Sequence, residues 1–501
     1  MTELAGLIAV VAFTAAGAGL AELVPALRGL PLPRRLAYSY LLGVAWVAGA
    51  LYAGSHLVTL PLSAGSALAR AAVPGTAGVA ARHRRRAGAR EGAASAKRLA
   101  PGARASWLLA AAALAGCVSI AVLATAATGP LSDWDGRMTW AAQARYVRAA
   151  GTVLPAVLTR PHWFVSHPRY PLLLPVAQVA AQELARAEGD EQPFRLSYGV
   201  FYPVLLLLLY DGAVRRAGRR AAALAVLATA PIPLLAFVGE GGATSAYSDL
   251  PLACFYGAAL LLLLRPRLRA ADGAAAGLLL AAVVLTKNEG AILAPAALIL
   301  AGWPRARRPR VGARRPRSPL GGVRRRLQPL AAAGAGLLGG ILLLESWRSA
   351  IPNRHDEAYS ELLSLERLVA GLGNAPEVLS LLVRRSFASE EWLLFWWVAL
   401  AALAAAGTKT LRHARILAAA AVPLIIGWSA YAVHSDPLYL AGVTWNRLLL
   451  QGLIPSGVIV ATALRATLAE AFPRGSRPGI PALERAGGRA SELGLSPRRR
   501  P

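Results

Sequence analysis

Runs of about twenty apolar residues, broken by charged segments, recur along the whole chain and limit what it can fold into. The stretch "SWLLAAAALAGCVSIAVLATAATG", 106–129, holds no charged side chain. In lipid every backbone polar group must find its partner within the protein, so such runs become helices. A transmembrane β-barrel would need ten-residue alternating segments, and the sequence has none. Composition agrees: 56% of the residues are hydrophobic and 16% charged, whereas a soluble protein carries about a quarter charged residues. Mean hydropathy is +0.46. Candidate spans lie at 4–27, 38–61, 106–128, 195–211, 220–238, 250–264, 273–286, 290–303, 329–346, 391–406, 414–433 and 447–464. The sequence therefore predicts an all-α membrane protein with about 12 transmembrane helices. The runs 273–286 and 290–303 are short for a crossing and need tilt or close pairing. The first run has Glu3 and no basic residue before it and is too long for the core of a signal peptide, so it reads as a retained helix.

The net charge of +28 first suggests nucleic acid. The bases do not share a face, however, and no nucleic-acid partner is expected. Nine lie in 63–105 and ten in 304–327, with more in "RRAGRR" (215–220), "RPRLR" (265–269) and the tail after 465. The positive-inside rule puts these segments in the cytoplasm, against anionic membrane lipids. Arg28, Arg34 and Arg35 are then the exception and fall outside. The chain divides into an N-terminal two-span segment (1–62), a basic cytoplasmic loop (63–105), a membrane domain (106–464) and a basic, disordered tail (465–501). Outward segments are 129–194, 239–249, 286–290, 347–390 and 434–446. Cys117 and Cys254 both fall in apolar runs and read as small core residues.

The outward segments carry the chemistry. "GPLSDWDGRMTWAAQARYVRAAG", 129–151, sets Asp133, Trp134, Asp135, Arg137 and Trp140 beside an apolar span. It reads as a loop, capped by Ser132, Asp133 or Asp135, leading into an interfacial helix with Trp140, Ala144 and Val147 on one face and Gln143, Arg145 and Arg148 elsewhere. "SHPRYPLLLPVAQVAAQELAR", 166–186, brings His167 and Tyr170 to the same compartment and continues as a second juxtamembrane helix. Glu240 and Asp249 sit at the mouths of two spans, Asp249 where it could also serve as a helix cap. In "LTKNEGAIL", 285–293, Lys287 and Glu289 interrupt about thirty apolar residues, and an ionisable pair at that depth marks a functional candidate. Arg447 opens the last span from the outer side, against the charge rule. A carboxylate there can act as general base on a hydroxyl or amine, and cations at the lipid boundary can hold a departing phosphate. No His-x-x-x-His or paired-Cys spacing marks a metal site. No cofactor is expected, a divalent cation at Asp135 and Asp249 being the one alternative.

In this order and on one side, these patterns resemble the GT-C superfamily of membrane glycosyltransferases. They are most similar to bacterial relatives of the protein O-mannosyltransferase and aminoarabinose transferase group. The resemblance rests on "SDWDGRMTWAAQARYVRAAG", "HPRYPLLLPVAQ", "AYSDLPLACFYGAALLLLLR", "LTKNEGAILAPAALIL", "HDEAYSELL…EEWLLFWW" and "TWNRLLLQGLIP", over about 130–455. It implies inverting transfer of a sugar from a polyprenyl-phosphate-linked donor to a glycan, lipid or protein acceptor on the periplasmic or extracellular face of the cell membrane. It implies a first-loop carboxylate as base, Asp135 or alternatively Asp133, and donor-phosphate anchoring at Lys287 and Arg447. Trp134, Arg137, Trp140, His167, Tyr170, Asp249 and Glu289 complete the expected substrate contacts. The chain departs from the pattern at Arg169, where such members often carry an acid, and at Thr444-Trp445-Asn446, where a Ser/Thr-Asp pair is more usual. Two other functions remain compatible with the sequence: a transporter or flippase of a lipid-linked sugar, and a non-catalytic cell-envelope protein. The glycosyltransferase reading requires Asp135, Asp249, Lys287 and Arg447 to face one cavity open to the outside, within about two helix diameters, roughly 20 Å.

Overall fold

The computed structural model describes residues 2–88, 106–160, 166–186, 192–237, 241–303, 319–352 and 364–471, which form helices and no strand. Glu240, the whole "HDEAYSELL" motif, most of the 304–327 loop, the 89–105 half of the first basic segment and the tail beyond 471 lie outside the described residues. The chain is an all-α membrane protein. Its long helices are α1 (Thr2–Leu23), α2 (Leu32–Val58), α3 (Ala64–Gly88), α4 (Ser106–Thr128), α5 (Ala142–Ala150), α6 (Leu173–Ala185), α7 (Gln192–Gly199) and α8 (Phe201–Thr229). They continue as α9 (Asp249–Leu263), α10 (Ala270–Thr286), α11 (Gly290–Gly302), α12 (Pro319–Arg348), α13 (Ala375–Ser386), α14 (Phe395–Ala406), α15 (Ala414–Val433), α16 (Pro437–Gln451) and α17 (Leu453–Ala471).

Among the described residues, six helical stretches are long and apolar enough to cross a membrane, or up to seven if the bent pair α16–α17, which turns by 60°, is one span. The expected count of about twelve also included shorter runs. α9, α10 and α11 have 15, 17 and 13 residues, below the roughly twenty that span a bilayer unaided. It also split α8 in two, and the backbone shows why. Gly218 sits at φ 83° and ψ 170°, so α8 is two helical runs joined at a glycine that alone accepts this conformation cheaply.

Two ends of the bundle are fixed by hydrogen bonds. At one end, buried Asp211 of α8 pairs with Arg34 (3.1 Å) and Arg215 (2.8 Å) and accepts the Tyr38 hydroxyl (3.0 Å). Beside it, Arg265 donates to the Ala26 carbonyl, and Asp272 accepts the Ala26 N–H at 2.8 Å. At the other end, Leu62 donates to the Gly151 carbonyl (3.3 Å), Trp347 to the Val153 carbonyl (2.9 Å), and His56 meets Ser346 at 2.9 Å.

These contacts correct the sequence reading of the N-terminal region. Arg34 was expected on the opposite side from "RRAGRR" and "RPRLR". It lies at the same end as both, because the isolated carboxylate of Asp211 recruits Arg34 and Arg215 together. α2 therefore runs from the Asp211 end to the Gly151 end. Residues 64–88, expected as the start of a basic loop, are instead the helix α3, which leaves from the Gly151 end and packs on α1 at Gly19 and Gly78. The signal was weak because α3 is rich in Ala and Gly and carries Pro74 and Arg70 mid-run.

This topology can be tested with single cysteines in a Cys117→Ser background. Leu60→Cys and Trp134→Cys should react with an impermeant thiol reagent from one side of a sealed vesicle, and Arg219→Cys from the other. Labelling of Leu60→Cys and Arg219→Cys from the same side would contradict the fold.

Candidate active site

The site lies at the Gly151 end of the bundle and is built around Asp249. This residue begins α9, but no side-chain cap is formed there. Its carboxylate, with no exposure, is instead shared among three donors. Oδ1 accepts from Lys287 Nζ (2.7 Å) and Gln451 Nε2 (2.8 Å), and Oδ2 from Arg447 Nε (3.0 Å). A charge removed from water is costly unless it is paired and hydrogen-bonded, so this carboxylate binds α9, the end of α10 and α16 to one point.

Lys287 stands just past α10 in extended backbone, φ −159° and ψ 158°, where the chain turns through Asn288 and Glu289 into α11. Its ammonium also pairs with Glu289 at 2.9 Å. Arg447 reaches the other way, to Asp135 Oδ2 at 2.9 Å. One continuous chain of ion pairs thus runs Asp135–Arg447–Asp249–Lys287–Glu289. Exposure falls from both outer ends to the middle: the side chains of Asp135 and Glu289 are 24% and 22% exposed, Arg447 11%, Lys287 4% and Asp249 0%.

The first-loop acids are separated by the backbone. Residues 136–141 form a π-helix, a form of helix often found at functional sites. Gly136 lets this turn close down, since a Cβ there would run into the Ser245 carbonyl. The Tyr247 hydroxyl accepts the Asp135 N–H at 3.1 Å, and the Tyr247 ring lies 4.9 Å from the Arg447 guanidinium, so one tyrosine supports both members of the pair. Asp133 sits apart, half-buried toward Arg195. Burial raises its pKa, opposed by a hydrogen bond from its own N–H and by the charge of Arg195.

An aromatic wall stands beside the chain of charges. His167 stacks on Tyr170 (4.4 Å, 14°), and Trp140 packs on the same tyrosine at 5.7 Å. Tyr170 lies near Arg447. His167 adopts left-handed backbone, φ 50°, and its carbonyl accepts from Gln143 Nε2 (2.9 Å) and the Tyr170 N–H (3.0 Å). Gln143, read as pointing away from the apolar face, is therefore fully buried, because the His167 carbonyl requires a donor. Trp140 is 1% exposed and is a core residue whose ring is closed to a ligand, whereas Trp134 is 69% exposed. Neither Trp134 nor exposed Arg137 is part of the ion-pair chain.

Asp135, Asp249, Lys287, Glu289 and Arg447 thus come together, with Tyr170 alongside. Tyr247, Gln451 and Arg348 were not singled out by the sequence. Gln451 could have been, since it follows Arg447 by one helical turn. Arg348, at the end of α12, donates to Asn288 Oδ1 (2.6 Å) and to the Arg169 carbonyl (3.2 Å), joining the Lys287 turn to the Pro-rich segment. One departure from the family pattern has a local role: Asn446 donates to Glu391 at 2.6 Å while accepting from Trp392 at 3.0 Å.

The all-α membrane bundle is what the sequence motifs anticipate for a GT-C glycosyltransferase. Residues 169–316 match the model of a family described as dolichyl-phosphate-mannose-protein mannosyltransferase, which supports a membrane glycosyltransferase of the GT-C type. The match includes Tyr170, Asp249, Lys287 and Glu289 and excludes Asp135 and Arg447. No curated protein and no solved structure matches the chain.

Asp249→Leu leaves Lys287 and Arg447 buried without their shared counter-ion, and the expected loss of stability is about 3–5 kcal/mol. Thermal unfolding in detergent measures it. A loss below about 0.5 kcal/mol, as for an ordinary surface substitution, would show that Asp249 is not the anchor.

Proposed function

We propose that the protein transfers a sugar from a polyprenyl-phosphate-linked donor to an acceptor hydroxyl or amine, with inversion and with Asp135 as general base. The observation that carries this reading is the ion-pair chain: a partly exposed carboxylate held 2.9 Å from a guanidinium that is anchored, with Lys287, on one buried acid. In the reaction the acceptor oxygen or nitrogen attacks the anomeric carbon as the bond from that carbon to the phosphate oxygen breaks. The electron pair leaves with the polyprenyl phosphate, whose charge Arg447 and Lys287 balance. The acceptor proton passes to Asp135.

Inversion follows from a single displacement. The place between Asp135 and Asp249, considered for a divalent cation, is taken by Arg447, which supplies positive charge there itself. The basic segments around Arg215 and Arg265 lie at the far end, which by the positive-inside rule supports a site on the periplasmic or extracellular face. The shorter helices α9, α10 and α11 then cross as packed, tilted elements, giving about twelve or more traversals.

The test is sugar transfer by purified protein from a panel of radiolabelled polyprenyl-phosphate sugars. Wild type should turn over one donor, and Asp135→Asn should lower the rate by about 10²–10⁴-fold. Equal rates would remove Asp135 as base, and binding of the lipid without turnover by wild type would favour a transporter or flippase.

A further inference from the structure

The ion-pair chain has two kinds of carboxylate. Asp249 is buried and accepts three donors, two of them cations. Asp135 and Glu289 are each partly exposed, and each is held by one cation that is already anchored on Asp249. Lys287 and Arg447 are thus the two fixed positive charges, and Asp135 and Glu289 cap them from the open side.

Among the described residues the chain holds three carboxylates and two cations, one negative charge in excess. A phosphodiester brings another negative charge. In a partly desolvated site, like charges at contact distance are strongly disfavoured. The anion can be accommodated only if it takes a cation from a carboxylate that is then able to turn toward water. Asp249 has no exposure and cannot do so. Asp135 and Glu289 can. The Asp135 backbone stays fixed, since its N–H donates to Tyr247, and Tyr247 also keeps the guanidinium in place. Only the short Asp135 side chain has to rotate.

We infer that Asp135 and Glu289 are placeholders for the donor phosphate, which displaces them from Arg447 and Lys287 and thereby frees Asp135 to act as base. This rests on the donor reading above. While Asp135 is paired with Arg447 its Oδ2 is occupied by the guanidinium, 2.9 Å away, and is not offered to an acceptor. Binding of the donor removes that partner at the same moment that it brings the anomeric carbon to the site. The base is therefore active only when the donor is bound, and the acceptor is engaged second.

Binding of a radiolabelled polyprenyl monophosphate, which carries no sugar to transfer, tests the exchange. The proteins are wild type, Asp135→Asn, Glu289→Gln and Arg447→Gln, each checked for monodispersity and thermal unfolding. Removing a competing carboxylate should tighten binding, so Asp135→Asn and Glu289→Gln should each bind about tenfold or more tighter than wild type, and Arg447→Gln should bind at least tenfold weaker. Glu289→Gln keeps the test valid should Asp135→Asn fold poorly. If Arg447→Gln weakens binding while both carboxylate variants bind as wild type or worse, the donor site stands and the exchange is overturned. If no variant and no wild-type protein binds the lipid phosphate, the donor reading falls and the exchange with it.

Discussion

A carboxylate with no access to water, at one end of a membrane bundle, is the constraint around which this protein is organised. Asp249 can remain ionised only if strong donors surround it. Those donors come from distant parts of the chain: Lys287 at the turn between α10 and α11, and Arg447 and Gln451 from α16. Each donor brings further structure. Lys287 engages Glu289, Arg447 engages Asp135, and Asn288 beside Lys287 is held by Arg348 of α12. The first loop, the Pro-rich segment and the last bent pair of helices are thus located by one buried charge.

The far end repeats the physics with a different outcome. Asp211 is equally buried, and Arg34, Arg215 and Tyr38 satisfy it. Those contacts join the N-terminal pair of helices to α8. The two clusters differ in what their outer members do. At the Asp211 end the cations surround a single acid, which suits a fastening. At the Asp249 end the cations lie between carboxylates, and the outermost carboxylates reach solvent, which suits a site that exchanges partners.

Much of this was legible in the sequence, and the reasons differ by element. Helices and their approximate positions follow from apolar run length. Lys287, Glu289 and Arg447 were singled out because each breaks a rule of membrane sequences, and the structure gives each an ion-pair partner. Asp249 was found as a candidate, but its competing role as a helix cap could be set aside only by the observed donors. Arg34 was placed at the wrong end because charge counting gives no weight to Asp211, a single acid within an apolar run that recruits two arginines. Helix α3 was missed because Ala, Gly and Pro blunt its apolar signal. Tyr247 and Arg348 act through a ring face, a hydroxyl and a backbone carbonyl, none of which leaves a spacing in sequence. Trp140 illustrates the opposite limit: an aromatic beside an acid looks like a sugar platform, yet here it packs into the core behind Tyr170.

The most direct test of the account is an experimental structure of the Asp135→Asn protein with a polyprenyl-phosphate sugar bound. The account predicts the phosphate against Lys287 and Arg447 and the anomeric carbon facing position 135. A donor bound with its phosphate at the Asp211 end, or away from Arg447 and Lys287 with Lys287 still closed on Glu289, would contradict it.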